Sequence, residues 1–354
     1  MDEPSSGHPA EPVLSALDGV GRRVAGGGDA RVIAFIFPGQ GSQKVGMGRD
    51  LADAYPEADE IFAAADTAFA TACDGPLADG RPFSRMIFDG PEDQLTLTEY
   101  AQPAILAVST AAYRVLQAQG LQPDYVAGHS LGEYSAHVAA GTVAFEDALR
   151  IVRRRGRYMQ EAVPVGAGAM AAILGADPDI VRQACEEAAQ GEVVSPANIN
   201  GSGQVVIAGT TAAVQRASER VKALGARRAV PLPVSAPFHC ALMKPAEIRL
   251  APELRALTVQ APRVPVVANV DGELKREATA GIEALVQQVS APVRWDAVVR
   301  RLASEGVTTY VEVGPGTVLS GLVQKIHKDA RVIHFGSPED LGAVMAACSI
   351  SAEK

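Results

Sequence analysis

A serine stands between two glycines in residues 128–132, Gly-His-Ser-Leu-Gly, which match the pattern G-x-S-x-G. The apolar residues 125–127 before the motif are typical of a short strand, and the alanine-rich stretch after it is typical of a helix. A strand-turn-helix of this kind exposes the serine hydroxyl at a helix N-terminus, where backbone N–H groups stabilise developing negative charge. The pattern therefore predicts that Ser130 is a nucleophile.

A nucleophilic serine needs a base, and the chain offers six histidines. They are His8, His129, His137, His239, His327 and His334. His129 is adjacent to the serine, and residues one apart on a helix do not face each other. His239 lies in residues 235–240, Ser-Ala-Pro-Phe-His-Cys, a constrained loop between the two subdomains predicted below, where a cleft is expected. We therefore predict that His239 is the base.

Apolar runs and turn residues along the chain indicate an α/β fold. Residues 32–37 form a continuous apolar run that is typical of a strand buried on both faces. Residues 264–270 and 309–313 have the same character, whereas residues 52–73 are rich in alanine and helix-like. Residues 168–233 instead follow the order βαββαβ, which is the pattern of a ferredoxin-like unit.

These patterns predict two subdomains. We expect residues 31–166 and 234–354 to form a large α/β-hydrolase-like subdomain around a parallel sheet. Residues 167–233 would form a small ferredoxin-like subdomain inserted into the large one. Residues 1–30 contain three consecutive glycines and lack the basic start and apolar core of a signal peptide, so we expect a disordered leader there.

Composition restricts the classes of function. With 47% hydrophobic and 21% charged residues, the chain of 354 residues has an ordinary globular composition. A net charge of −9 gives no general attraction to nucleic acid, and no apolar stretch approaches the ~18 residues of a membrane span. The four cysteines share no Cys-x-x-Cys spacing, so we expect no metal site and a reducing, cytoplasmic location.

Five short segments, taken in order along the chain, carry a resemblance to a known family. They are Phe-Pro-Gly-Gln-Gly-Ser-Gln at 37–43, Gly-His-Ser-Leu-Gly-Glu-Tyr-Ser-Ala at 128–136, Arg-Gly with Met-Gln within 155–160, His-Cys-Ala-Leu-Met at 239–243, and Glu-Val-Gly-Pro-Gly at 312–316. Over about residues 31–330, they resemble the signature segments of the malonyl-CoA:acyl carrier protein transacylases. Five ordered segments are much more specific than G-x-S-x-G alone.

The resemblance implies which residues perform the reaction. Ser130 would be the nucleophile and His239 its base, and the backbone carbonyl of Gln288, rather than an acidic side chain, would orient the imidazole. The backbone N–H groups of Gln40 and Leu131 would form the oxyanion hole.

The resemblance also implies which residues contact the acyl group. Arg155, which directly precedes a glycine, would hold the free carboxylate of malonate with its guanidinium group, whereas the other arginines of residues 153–157 would form a solvated helix face. The remaining contacts expected with the substrate come from Gln102, His129, Met159 and Phe238.

The activity that follows from the resemblance is a transfer between two thiols. Malonyl would move from malonyl-CoA to the phosphopantetheine thiol of acyl carrier protein, through an ester on Ser130, in fatty acid or polyketide synthesis. We expect no metal or tightly bound cofactor and a monomer. Carrier protein is acidic, so it would dock on a basic patch. Candidates for that patch are Lys222, Arg227, Arg228 and residues 153–157.

Two other hypotheses remain open at this point. A serine hydrolase, such as an esterase or thioesterase, would use the same G-x-S-x-G motif. A non-catalytic docking subunit would keep the fold without the chemistry. The presence of Ser130, His239 and Arg155 together favours the transferase over both.

Overall fold

The protein is represented by a computed structural model that describes residues 31–73, 75, 77–234 and 236–348. The expected leader, residues 1–30, lies outside this part of the chain. The strands are β1 Val32–Phe37, β2 Tyr125–Gly128, β3 Gly168–Leu174, β4 Val194–Gly201, β5 Gln204–Thr210, β6 Arg228–Pro231, β7 Val266–Val267, β8 Leu274–Lys275, β9 Val307–Val313 and β10 Arg331–Phe335. The helices are α1 Arg49–Ala54, α2 Pro56–Thr71, α3 Phe83–Asp89, α4 Glu92–Leu95, α5 Thr98–Ala118, α6 Leu131–Ala139, α7 Phe145–Glu161, α8 Pro178–Ala189, α9 Thr211–Ala223, α10 Lys244–Arg255, α11 Ala278–Gln288, α12 Trp295–Ser304, α13 Val318–Ile326 and α14 Leu341–Cys348.

The larger sheet has six strands in the order β10-β9-β1-β2-β7-β8, and every neighbouring pair except β7–β8 is parallel. The apolar sequence of β1 follows from its central position, because both faces of the strand are covered. Alternate side chains enter two cores: Ile33, Phe35 and Phe37 pack into one, and Ala34 and Ile36 pack into the other. The predicted α/β fold with a parallel sheet is confirmed.

Two predicted elements differ in extent. Of residues 264–270, expected as one strand, only Val266–Val267 pairs with β2, because the chain then turns: Ala268 N–H donates to the Glu273 carbonyl at 3.1 Å. The helix expected over residues 52–73 is two helices, α1 and α2. They separate at extended Tyr55, because the following Pro56 disfavours helical conformation in the residue before it.

The smaller sheet is antiparallel, with the strand order β4-β5-β3-β6 expected for a ferredoxin-like unit. Side chains of α8 and α9 pack on β3 and β5 in a core of their own. Strand β4 is also bonded to the segment that follows α11, since Val293 N–H donates to the Ala197 carbonyl and Ile199 N–H donates to the Val293 carbonyl, both at 2.8 Å. This connection ties the smaller sheet to the end of α11.

The register of β1 and β2 places two turns at one edge of the larger sheet. Phe37 and Gly128, which end these strands, are paired, so residues 38–42 and the Ser130 turn leave the sheet side by side. Helix α6 starts directly on top of β1, because Gly132 lacks a side chain: a Cβ there would lie 2.0 Å from the Phe37 carbonyl oxygen. In the described part of the chain, no helix has the length and apolar character needed to cross a membrane.

We predict that Gly132→Ala destabilises the protein by about 3 kcal/mol, because the new methyl group would overlap backbone atoms that cannot move aside. The matched control is Gly321→Ala in α13, where a Cβ meets no atom within 4 Å. That change should raise the free energy of unfolding by up to about 1 kcal/mol, the helix preference of alanine over glycine. Urea unfolding of both variants measures the difference, and equal stabilities would contradict the prediction.

Candidate active site

Ser130 occupies a strained turn between β2 and α6. Its backbone φ of 53° and ψ of −108° lie in a region that residues other than glycine rarely adopt. The flanking glycines make this turn sterically possible, because a Cβ at Gly128 would lie 1.9 Å from the carbonyl carbon of Gly132. The spacing of the G-x-S-x-G motif is therefore a packing requirement of the turn.

The buried side-chain amide of Asn269 bridges the Ser130 turn. Its Oδ1 accepts a hydrogen bond from Ser130 N–H, and its Nδ2 donates to the Gly128 carbonyl, both at 2.7 Å. Asn269 is not among the site residues predicted from the sequence. Its position could have indicated a place in the site, because Asn269 follows β7, the strand next to β2, at the same edge of the parallel sheet.

The imidazole of His239 lies beside the Ser130 hydroxyl. The hydroxyl donates to His239 Nε2 at 2.7 Å, and His239 Nδ1 lies 3.0 Å from the backbone carbonyl oxygen of Gln288. A carbonyl can only accept, so Nδ1 carries the proton and Nε2 is left as the acceptor. His239 itself has a positive φ of 58°, a conformation of the kind that is concentrated at functional sites.

The surroundings of His239 keep its imidazole neutral. Burial lowers its pKa to about 3, from the ordinary 6.5, and the positive charge of nearby Arg155 contributes in the same direction. The carbonyl of Gln288 partly opposes this shift. At neutral pH, His239 is therefore ready to accept a proton from Ser130.

Arg155 is a buried cation at the centre of the site. It is 2% exposed, and its guanidinium group is bonded to two amide oxygens: Nη1 donates to Gln102 Oε1 at 2.7 Å, and Nη2 donates to Gln288 Oε1 at 2.8 Å. Nη2 also donates to Ser130 Oγ at 3.2 Å. Among the described residues, no carboxylate accepts a hydrogen bond from Arg155, and its Nε has no acceptor. Burial lowers the pKa of this guanidinium group. A buried cation held only by neutral groups is a favourable place for an anionic ligand.

The neighbouring arginines of residues 153–157 were expected to form a solvated face, and for Arg153 this expectation is wrong. Arg153 is buried, donates to the Gly75 carbonyl at 2.9 Å, and has its guanidinium carbon 4.1 Å from the centre of the Phe69 ring. It holds the segment after α2 against α7. Because Arg153 and Arg155 are both buried, neither can belong to a basic docking surface.

Gln102, which accepts a hydrogen bond from Arg155, also contacts Thr98 and Met159. Gln102 Nε2 donates to Thr98 Oγ1 at 3.0 Å and lies 3.9 Å from Met159 Sδ. The Thr98 hydroxyl donates in turn to Gln40 Oε1 at 2.7 Å. A single chain of hydrogen bonds thus joins the guanidinium group to the turn that follows β1. Thr98 is not among the site residues predicted from the sequence.

The backbone N–H groups of Gln40 and Leu131 come from the two turns at the sheet edge. These turns touch backbone to backbone, because a Cβ on Gly39 would lie 2.4 Å from the His129 carbonyl oxygen. Within the described part of the chain, neither N–H has a hydrogen-bond acceptor. Ser42, whose hydroxyl donates to the Gly39 carbonyl at 2.8 Å, holds the first turn closed. Two unpaired donors beside a nucleophile are the arrangement that stabilises an oxyanion.

His129 and Phe238 lie at the border of the site. His129 Nε2 is 3.0 Å from Asn200 Oδ1 on β4, and its ring packs at a centroid distance of 5.7 Å from Trp295. Burial lowers the pKa of His129. Phe238, next to His239, is buried in the larger core.

Glu133 is a further buried residue that the sequence analysis did not single out, although it lies within the segment 128–136. Its Oε2 accepts from Asn269 N–H at 3.0 Å and from Gln288 Nε2 at 2.7 Å. The available signal was a carboxylate one turn after Ser130, on a helix whose residues are nearly all buried. Within the described ranges, no group of three or more His, Cys, Asp or Glu side chains is placed to hold a metal ion.

Comparison with known proteins agrees with this geometry. Residues 34–337 match the family model described as "Acyl transferase domain". The chain is 50% identical over 313 residues to the malonyl CoA-acyl carrier protein transacylase of Escherichia coli strain K12, covering 88% of this chain and 98% of that protein.

Solved structures show the same likeness. The crystal structure of an acyl carrier protein S-malonyltransferase from Vibrio cholerae matches with a TM-score of 0.84 and 46% identity, over 88% of this chain and 99% of that one. A structure of a type II PKS acyl-carrier protein in complex with its malonyl-transacylase matches with a TM-score of 0.83 and 45% identity, over 89% and 99% of the two chains. The chain therefore belongs to the malonyl CoA-acyl carrier protein transacylase family.

Proposed function

We propose that this protein transfers malonyl from malonyl-CoA to the phosphopantetheine thiol of acyl carrier protein, with Ser130 as the residue that carries the acyl group. The observation that carries the proposal is the buried Arg155 guanidinium, which has no carboxylate partner in the described residues and lies 3.2 Å from Ser130 Oγ. A malonyl ester on Ser130 has a free carboxylate at its far end. That carboxylate would supply the missing anion.

In the first half of the reaction, His239 Nε2 takes the proton of the Ser130 hydroxyl as Oγ attacks the thioester carbonyl carbon. The carbonyl oxygen becomes an oxyanion and is stabilised by the N–H groups of Gln40 and Leu131. The tetrahedral intermediate collapses and its carbon–sulfur bond breaks. The departing thiolate takes the proton from His239, which leaves free coenzyme A and a malonyl ester on Ser130.

In the second half, the phosphopantetheine thiol enters and loses its proton to His239. The resulting thiolate attacks the ester carbonyl, the same N–H groups stabilise the oxyanion, and the bond to Oγ breaks. His239 returns the proton to Ser130. The net change is the exchange of one thioester for another. In both halves, the backbone carbonyl of Gln288 orients the His239 imidazole, and no acidic side chain takes part.

Arg155 is proposed to select malonyl over acyl groups without a carboxylate. A buried charge without its partner is costly, so an acetyl ester would leave the site with an uncompensated cation. Gln102 and Gln288 hold the guanidinium group in place. We propose the side chains of Met159, Phe238 and His129 as the remaining walls of the acyl pocket.

The wider setting is also proposed. We infer that residues 31–166 and 234–354 form the larger subdomain and residues 167–233 the smaller one, a division supported by the separate core beneath β3–β6. We propose a monomer that works in the cytoplasm, without metal or tightly bound cofactor and without nucleic acid. A reducing compartment fits the dispersed cysteines. The candidates for docking the carrier protein are Lys222, Arg227, Arg228 and the half-buried Arg154 and Arg157.

The acyl-enzyme is tested by intact-mass measurement after brief exposure to malonyl-CoA without carrier protein. We expect wild type to gain one malonyl group, acyl carrier protein to discharge it, and Ser130→Ala to gain none. Ser135→Ala, a buried serine on the same helix, is the matched control and should still form the adduct. Free malonate accumulating without an adduct would favour a hydrolase, and neither adduct nor turnover would favour a docking subunit.

The role of Arg155 is tested by steady-state kinetics of Arg155→Ala. We expect kcat/KM for malonyl-CoA to fall about 10²-fold or more, the effect of losing one partner of a buried charge pair, while acetyl-CoA is used as well as before or better. Arg154→Ala, which removes the ion pair with Glu253 from the same helix, is the control. An equal loss for both substrates in Arg155→Ala would contradict a role in selectivity.

The protonation state of His239 is tested with an uncharged reagent for Ser130, such as phenylmethanesulfonyl fluoride. Because the pKa of His239 is lowered to about 3, its imidazole stays neutral as the pH falls, and the inactivation rate should stay level between about pH 8 and about pH 5. The rate should decline only as the pH approaches the lowered pKa. A decline centred near the ordinary value of 6.5 would show that burial does not control this base.

A further inference from the structure

Glu133 is a buried carboxylate that contacts neither the Ser130 hydroxyl nor the His239 imidazole. It is 0% exposed, and only one of its oxygens is used: Oε2 accepts from Asn269 N–H and from Gln288 Nε2, whereas Oε1 has no hydrogen-bond partner in the described residues. A buried carboxylate is costly, so its presence calls for a physical explanation. The reaction described above assigns it no role.

The contacts of Glu133 determine which way the side-chain amide of Gln288 points. Nε2 of Gln288 donates to Glu133 Oε2 at 2.7 Å and to the Ser130 backbone carbonyl at 2.9 Å. Both partners offer only oxygen acceptors in this direction, so the amide nitrogen must face them. The amide oxygen then faces Arg155, whose Nη2 donates to it at 2.8 Å. A reversed amide would place its oxygen against two other oxygens and its N–H₂ against a guanidinium group.

We propose that Glu133 is a positioning residue for malonyl selectivity: by orienting the Gln288 side-chain amide, it holds the Arg155 guanidinium beside Ser130. This inference rests on the proposed role of Arg155 in binding the malonyl carboxylate. It also gives Gln288 two separate functions. The backbone carbonyl orients His239, and the side chain holds Arg155.

The orientation does not depend on Glu133 being ionised. Burial raises the pKa of Glu133 to about 7, and the negative charge of Asp271 adds to the shift, while Gln288, Asn269 and Arg155 oppose it. A proton on Glu133 has a free position, because Oε1 makes no hydrogen bond. Oε2 remains an acceptor in either state, so Gln288 stays oriented across neutral pH.

The test compares two methionine variants that remove hydrogen bonds at nearly constant side-chain length. Glu133→Met deletes the acceptor, and Gln288→Met deletes the amide while keeping the backbone carbonyl beside His239. We expect each to lower the ratio of kcat/KM for malonyl-CoA to kcat/KM for acetyl-CoA about tenfold, the effect of one hydrogen bond to a charged group. The loss should come from a higher KM for malonyl-CoA. Glu133→Gln, which keeps one acceptor oxygen, should restore most of the ratio.

A double-mutant cycle separates an action through Gln288 from a direct one. If Glu133 acts through the amide, adding Glu133→Met to Gln288→Met should lower the ratio no further. Two independent losses that multiply would overturn the proposal. Loss of the contact between Glu133 and Asn269 N–H could disturb the Ser130 turn, but that disturbance should slow both substrates alike and leave the ratio unchanged.

Two further variants make the result decisive. Glu312→Met removes another buried carboxylate, which accepts from Leu319 N–H and Ser320 N–H, so it should affect stability without changing the ratio. Arg155→Ala sets the ratio expected when selectivity is lost. If Arg155→Ala loses selectivity and both methionine variants keep it, the present proposal is wrong and the role of Arg155 stands. If Arg155→Ala keeps selectivity, the present proposal and the proposed role of Arg155 are both wrong.

Should Glu133→Met fail to fold, Gln288→Met and Glu133→Gln decide alone. An unchanged ratio in Gln288→Met then overturns the proposal.

Discussion

The burial of the Arg155 guanidinium group, held by hydrogen bonds, is the constraint on which the rest of the site depends. The guanidinium group is almost fully buried, and its described hydrogen bonds go to two amide oxygens and one hydroxyl. Among the described residues no carboxylate accepts a hydrogen bond from this cation, which makes the site receptive to an anionic acyl group. The same charge helps to keep His239 neutral. One buried group therefore accounts both for the proposed selection of the acyl group and for the neutral state of His239.

Three helices must meet for this charge to be held. Gln102 comes from α5, Arg155 from α7 and Gln288 from the last position of α11. The contact between α5 and α7 is close because Gly156 lets the backbone approach: a Cβ there would lie 2.5 Å from the Thr98 carbonyl oxygen. Glycine next to Arg155 is therefore a packing requirement, just as the glycines around Ser130 are.

The sequence predicted the individual groups of the site better than their connections. Ser130 follows from a local pattern, since a strand, a tight turn and a helix are formed by consecutive residues. Asn269 and Glu133 could not be assigned in the same way, because their partners lie 139 and 155 residues away along the chain in the bonds to Ser130 and Gln288. The prediction that Arg153 is solvated was wrong for the same reason. A run of arginines indicates a solvated face until a distant segment covers one of them.

The sequence alone determined the α/β class, the order of the ferredoxin-like strands, the nucleophile motif and the family likeness. These depend on local periodicity, on turn residues and on short segments whose chemistry needs particular residue types at fixed spacing. Only the tertiary structure decided that the Gln288 side-chain amide faces Arg155 and donates to Glu133, and that Asn269 bridges the Ser130 turn. The physical reason is that hydrogen bonds within a buried site are set by which distant elements pack together, and no local pattern encodes that packing.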